Sequence, residues 1–209
     1  MEPDAVEIRV LGSLIEKQRT TPDVYPLTLN ALRLACNQST NRDPVVDYDE
    51  NAIRGAIERL VQRKWATLAS WSNRRSMKYR QTLDRALELS EPEVSILAVL
   101  MLRGPQTPGE LKTRTERLHA FGDMSELGEA LDRLIGRDLV ARMDRRPGQR
   151  EERYQHLLSE EIDITPDPQV DPAPQEPTVF GDDDRIRRIE RQLDELRSEI
   201  RALREELGA

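Results

Sequence analysis

Residues 52–70 repeat as residues 126–144 at an offset of 74 positions, and this internal repeat constrains the fold more than any other feature of the chain. Ile53, Ala56, Ile57, Leu60 and Val61 fall on Leu127, Ala130, Leu131, Leu134 and Ile135. In each copy the spacing is i, i+3, i+4, i+7, i+8, the stripe of a helix with one buried face. Arg59 and Arg63 fall on Arg133 and Arg137. Capping boxes are expected to open both helices, Asp47 with Glu50 and Asp123 with Glu126, each carboxylate satisfying backbone donors of the first turn. A strand-turn-strand pattern follows each helix. Trp65 to Trp71 turns at Ser72-Asn73-Arg74-Arg75 and returns through Met77 to Gln81; Leu139 to Met143 turns near Pro147-Gly148 and returns through Arg153 to Leu157.

Two further helices precede each copy, read over Val6 to Glu16 and Leu27 to Asn37 in the first half, and over Glu91 to Arg103 and Pro108 to Thr115 in the second. Ser90 with Glu93 and Thr107 with Glu110 mark two of the starts, and Pro108 takes a first helical position, where its missing N–H costs nothing. Each half therefore reads helix, helix, helix, hairpin. That order is expected to give a mainly α fold with small β-hairpins: two tandem winged helix-turn-helix domains, 1–85 and 86–158.

Several stretches carry a family resemblance. They are Leu14-Ile15-Glu16-Lys17, Thr21-Pro22-Asp23-Val24-Tyr25-Pro26-Leu27-Thr28-Leu29-Asn30-Ala31, Ala35-Cys36-Asn37-Gln38 and Asn41-Arg42-Asp43-Pro44-Val45 in the first half, with Leu102-Arg103-Gly104-Pro105-Gln106-Thr107-Pro108-Gly109-Glu110-Leu111 and Arg146-Pro147-Gly148 in the second. Over residues 5–158 the chain resembles the bacterial YceH-like proteins. It departs from their pattern at Ser39, where lysine is usual, and in the short link Gly136-Arg137-Asp138. The resemblance implies two winged-helix domains and kinship with DNA-binding regulators, and it brings no activity of its own.

Beyond residue 158 the composition changes. Pro166, Pro168, Pro172, Pro174 and Pro177 stand among acidic and small residues, so 159–182 reads as an extended linker. Over 183–208, Ile186, Ile189, Leu193, Leu196, Ile200, Leu203 and Leu207 recur at alternating spacings of 3 and 4, a coiled-coil pattern three heptads long. Parallel pairing sets Gln192 and Glu199 against Arg197 and Arg204, whereas antiparallel pairing sets Glu199 on Glu199, so a parallel homodimer is expected. The alternatives are folding of this helix back onto its own globular part and a helix left unpaired and fraying.

The net charge of −7 is unevenly placed: residues 1–81 carry +3, 82–157 carry −2 and 158–209 carry −8. Within the first half, residues 49–80 hold 8 basic and 3 acidic groups, whereas 125–157 balance 7 against 7. At 100° per residue, the third helix of the first half turns Asn51, Gly55, Glu58, Arg59 and Gln62 outward, with Arg54 and Arg63 on the flanks. Asn and Gln suit adenine edges and Arg suits guanine or phosphate, and Gly55 is read as clearing space for a groove wall or partner. The following turn adds Arg74, Arg75, Lys78 and Arg80. Duplex DNA is the expected partner, a solvated basic face being the alternative reading. In the second half the outward residues are Ser125, Glu129, Asp132, Arg133 and Gly136. Their carboxylates repel a duplex, leaving Arg145, Arg146, Arg150 and Arg153 for phosphate and suggesting a protein partner there.

Other functions leave no trace. Neither G-x-x-x-x-G-K-[ST] nor G-x-G-x-x-G occurs, and Cys36, His119 and His156 have no metal-ligand spacing, so no cofactor, metal or catalytic set is expected. Cys36 is read as a small core residue and His156 as a surface or hydrogen-bonded one. The longest apolar run, Val94 to Leu102, is too short to span a bilayer, and with one cysteine and acidic Glu2, Asp4 and Glu7 at the N-terminus a cytoplasmic protein without membrane contact is expected.

Overall fold

The computed structural model of the chain describes residues 2–69, 77–143 and 151–159. All of them fall within one compact unit, Met1–Asp163. The linker 159–182 beyond its first residue and the heptad residues Ile186, Ile189, Leu193, Leu196, Ile200, Leu203 and Leu207 lie outside the described residues.

Helix α1, Ala5–Thr20, opens at Asp4, whose carboxylate accepts from the Glu7 N–H at 2.8 Å while the Glu7 carboxylate accepts from the Asp4 N–H at 3.2 Å. It outruns the apolar stripe by a polar turn, because the Thr20 and Thr21 hydroxyls donate to the carbonyls of Glu16 and Lys17 and complete it. A short 3-10 turn, Pro22–Val24, leads to strand β1, Leu27–Thr28, then to helices α2, Leu29–Cys36, and α3, Glu50–Gln62. Strands β2, Ala66–Ala69, and β3, Lys78–Gln81, form the hairpin. A one-turn helix α4, Leu83–Ala86, precedes α5, Glu91–Arg103, α6, Pro108–Thr115, α7, Met124–Ile135, and the second hairpin of β4, Val140–Met143, and β5, Arg153–His156.

Both halves thus show helix, helix, helix, hairpin, and the repeat extends to strand pairing. The first sheet is antiparallel in the order β1-β3-β2, with Leu27 opposite Tyr79. In the second, β4 pairs with β5, and Gln106 bridges Tyr154. In each half the paired residue immediately precedes a threonine N-cap: the Thr28 hydroxyl accepts from Ala31 N–H, that of Thr107 from Glu110 N–H. Leu27 therefore belongs to a strand rather than to the start of a helix.

Helix α3 also begins later than its Asp47-Glu50 pattern suggests. Asn37 holds Tyr48 outside the helix, its side-chain amide donating to the Tyr48 carbonyl at 2.8 Å and accepting from the Tyr48 N–H at 3.0 Å. The cap is consequently Asp49, which accepts from Ala52 N–H at 2.7 Å, while Asp47 accepts from Asn37. At α7 the box is half made: Asp123 caps Ser125 and Glu126, but the Glu126 carboxylate turns to Gly122 N–H.

One continuous apolar core runs through both halves. Helix α5 is buried all round from Glu93 to Leu102, as a helix with apolar residues on every side must be. It packs along α1, and Gly12 permits the approach: a Cβ there would lie 3.0 Å from Leu102 Cγ and Met101 Cβ. The 37–49 loop is fastened by Arg42, whose guanidinium is fully buried. It donates to both Glu16 carboxylate oxygens at 3.1 and 2.6 Å, to the Ala35 carbonyl and to Gln38. Arg9 donates to the Cys36 and Pro44 carbonyls from the other side.

Candidate nucleic-acid interface

Helix α3 buries Ile53, Ala56, Ile57 and Leu60 and leaves Asn51, Arg54, Glu58 and Gln62 exposed along one stripe. Arg54 donates to Glu50 one turn back, and both side chains stay about half exposed, 44% and 53%. An exposed pair of this kind contributes little to stability and is readily exchanged for another partner.

Arg59 and Arg63 are placed differently. Glu7, 2% exposed, draws both toward the start of α1: Arg59 Nε donates to Glu7 Oε2 at 2.9 Å, Arg59 Nη2 to Asp4 Oδ2 at 2.5 Å and Arg63 Nε to Glu7 Oε1 at 3.2 Å. The hydrogen bond to Glu7, with Asp4 adding to it, raises the Arg59 pKa above its ordinary value. Arg63 also lies over the Trp65 ring, 6.0 Å from its centroid. Gly55 serves this arrangement. A Cβ there would stand 3.3 Å from Arg59 Nη1, so its missing side chain leaves room for the Arg59 guanidinium. The signal in the sequence was Asp4-x-x-Glu7, a capping box whose glutamate has a second carboxylate oxygen to offer.

In the hairpin, Lys78 and Arg80 alternate with the buried Tyr79 and Gln81 and share the outer face, Arg80 exposed and Lys78 half-buried. Exposed Lys64, which the sequence reading passed over, sits at φ +64° in the turn between α3 and β2. Arg74 and Arg75 lie outside the described residues.

On α7 the exposed residues include Ser125, Glu129, Asp132, Arg133 and Gly136, as helical geometry predicts. Arg133 Nε donates to the buried Glu93 at 3.4 Å, and Arg137 donates to the Leu87 and Glu88 carbonyls. Arg153 is tied to the Pro105 carbonyl and Glu110. Arg145, Arg146 and Arg150 lie outside the described residues.

Cys36 is buried, and burial pushes its thiol pKa up to about 11, so it packs as a neutral core residue. His156 is hydrogen-bonded and not on the surface: it is buried, its pKa lowered to about 4 by burial, and its Nδ1 accepts from the Leu158 N–H. Among the described residues no three His, Cys, Asp or Glu side chains gather as a metal site, and no helix is long and apolar enough to cross a membrane.

Residues 4–149 match the family model described as "Protein of unknown function, DUF480". The chain is 50% identical over 161 residues to a UPF0502 protein of Azotobacter vinelandii, covering 77% of this chain and 71% of that one. A UPF0502 protein of Pseudomonas aeruginosa is 49% identical over 160 residues, 77% and 72% of the two chains, and one of Pelobacter propionicus 45% over 201 residues, 95% and 91%. The chain belongs to this DUF480/UPF0502 family of bacterial proteins, in keeping with its resemblance to the YceH-like proteins.

Proposed function

We propose that the chain is a tandem winged-helix protein that binds duplex DNA through its first half and acts in the cytoplasm as a transcriptional regulator or architectural factor. The observation that carries this reading is the charge contrast between two equivalent stretches, each from its helix cap through its hairpin: +5 over residues 49–80 against −1 over 123–155. Support comes also from the β1-β3-β2 sheet beside three helices and from the exposed α3 stripe. In this reading Asn51, Arg54 and Gln62 meet base edges, while Arg74, Arg75, Lys78 and Arg80 meet phosphates. Arg59 and Arg63 act one step back, holding α3 on α1. The tail supplies a second copy through the heptads from Ile186 to Leu207, and the linker lets two heads reach separate half-sites, raising apparent affinity through effective concentration.

The test is binding of the full chain to a random duplex as salt is varied. Four phosphate contacts give a slope of log K against log salt of about −3.6. Binding that is absent, or flat in salt, overturns the proposal. The second reading, a protein-interaction scaffold, rests on the outward Glu129 and Asp132 of α7 and gains if the duplex is ignored.

A further inference from the structure

An open cleft of about 600 Å³ lies in the second half, lined by Glu88, Ser90, Glu93, Arg133, Gly136 and Arg137. The repeat supplies its comparison. With α1 laid on α5 by their N-caps and α3 laid on α7, these residues correspond to Glu2, Asp4, Glu7, Arg59, Gln62 and Arg63. In the first half two guanidinium groups meet two carboxylates: Glu7 takes Arg59 and Arg63, and Asp4 takes Arg59 Nη2. In the second half Ser90 replaces Asp4, and its hydroxyl is turned onto Glu93 at 2.5 Å. The cleft is one carboxylate short. Arg133 uses only Nε, on Glu93, and its Nη groups make no hydrogen bond to the described residues, with the side chain 51% exposed. Gly136 stands where the first half has the exposed Gln62, so the lining carries no side chain at that position.

We propose that this cleft is a docking site for a carboxylate side chain, an Asp or Glu of a partner protein, seated on Arg133 as Asp4 is seated on Arg59. A guanidinium with free, half-exposed donors suits a planar carboxylate. The neighbouring Glu93 is no obstacle. In the first half Arg59 takes Asp4 and Glu7 together, and Glu93 is held as the carboxylate on Arg133 Nε: although burial pushes its pKa up, hydrogen bonds from Ser90 and the charge of Arg133 hold it below the ordinary value, which leaves the Arg133 Nη groups for a second carboxylate. The site is independent of the DNA-binding reading, since it uses none of the residues assigned to the duplex.

The experiment exchanges the two halves' chemistry in the full chain. Amide and Arg Nε shifts are followed by NMR while a blocked Gly-Gly-Asp-Gly-Gly peptide, its Asn counterpart or inorganic phosphate is added. Saturable shifts at Arg133 and Gly136 are expected with the Asp peptide, at least tenfold weaker with the Asn peptide. Ser90→Asp, which keeps a good N-cap, should supply the missing carboxylate internally and weaken the Asp peptide at least tenfold. Arg133→Gln should do the same. Asp4→Ser, also a good cap, should create a second set of saturable shifts at Arg59 and Gln62. Equal response to Asp and Asn peptides, unchanged binding in Ser90→Asp, or saturation by phosphate with no response to the Asp peptide would each overturn the proposal.

Discussion

The two halves share a plan and differ in what their arginines do. In the first, Glu7 gathers Arg59 and Arg63 while Asp4 adds a second carboxylate, so the third helix is clamped to the first by a closed set of charges. In the second, Glu93 holds Arg133 by one longer contact, and Arg137 turns away to cap the carbonyls at the end of α4. A position that looks like a surface reader in a repeat alignment can therefore be a clamp in one copy and half-free in the other. Which it becomes depends on a single neighbour, Asp4 or Ser90. The first half also carries a 37–49 loop pinned by the buried Arg42–Glu16 pair, whereas the second connects α6 to α7 over the shorter 116–123 stretch.

The loop gives the largest expected difference. Arg42→Ala leaves Glu16 only Lys17 Nζ at 3.5 Å and unties the Ala35 carbonyl; removing one partner of a buried pair costs about 3–5 kcal/mol, and the remaining Lys17 contact sets the loss at about 3 kcal/mol, the lower end. Urea unfolding should show that loss; a change below about 1 kcal/mol would mean that the loop is held by its backbone contacts alone. Next comes the clamp. Glu7→Ala takes a carboxylate from two arginines, leaving Arg59 only Asp4, and should cost about 2–3 kcal/mol, while Glu93→Ala, which releases one longer arginine contact besides the capping bonds from Ser90, should cost less. Equal losses would erase the asymmetry between the halves.

A smaller effect separates the halves by pH. His156 on β5 occupies the place of Gln81 on β3, two residues beyond the paired tyrosines Tyr154 and Tyr79. Burial holds its pKa at about 4 against an unfolded value of 6.5, so the unfolded chain binds the extra proton first. Its contribution is fully present above about pH 6.5 and is lost as pH falls toward 4, about 2 kcal/mol having gone by pH 5. His156→Gln, which copies the first half, should flatten stability between pH 6.5 and 4. A profile that keeps its slope would assign it to other groups.

Much of this was legible in the sequence, because helical stripes and caps are local. The bounds of α5 and α6 and the outward face of α7 follow from periodicity and from Ser90, Thr107 and Asp123. What escaped depends on long-range partners. Glu7 and Arg59 are 52 residues apart, and Arg42 joins Glu16, Ala35 and Gln38. Periodicity cannot show such pairings, yet three of the stretches that carry the family resemblance meet at Arg42, so a motif without evident chemistry was the trace of a buried ion pair. The Asp47 cap failed for the same reason: Asn37, ten residues away, already holds that carboxylate.

The smallest stability effect tests the functional side of the comparison. Arg54 is on the same helix as Arg59 but reaches only Glu50, one turn back, with both side chains about half in solvent. Losing such a pair changes stability by less than about 0.5 kcal/mol. Arg54→Ala should therefore leave the unfolding midpoint almost in place. It should still weaken duplex binding unevenly across sequences, by about 1–3 kcal/mol at a preferred site, as the loss of a base contact does. Arg59→Ala should show the opposite profile. It lowers stability by breaking the clamp on Glu7 and Asp4, and whatever binding it loses falls alike on every sequence because α3 as a whole is less firmly held. If Arg59→Ala discriminates among sequences and Arg54→Ala does not, the clamp opens on DNA and Arg59 is the reader. The comparison between the two halves would then describe only the unbound state.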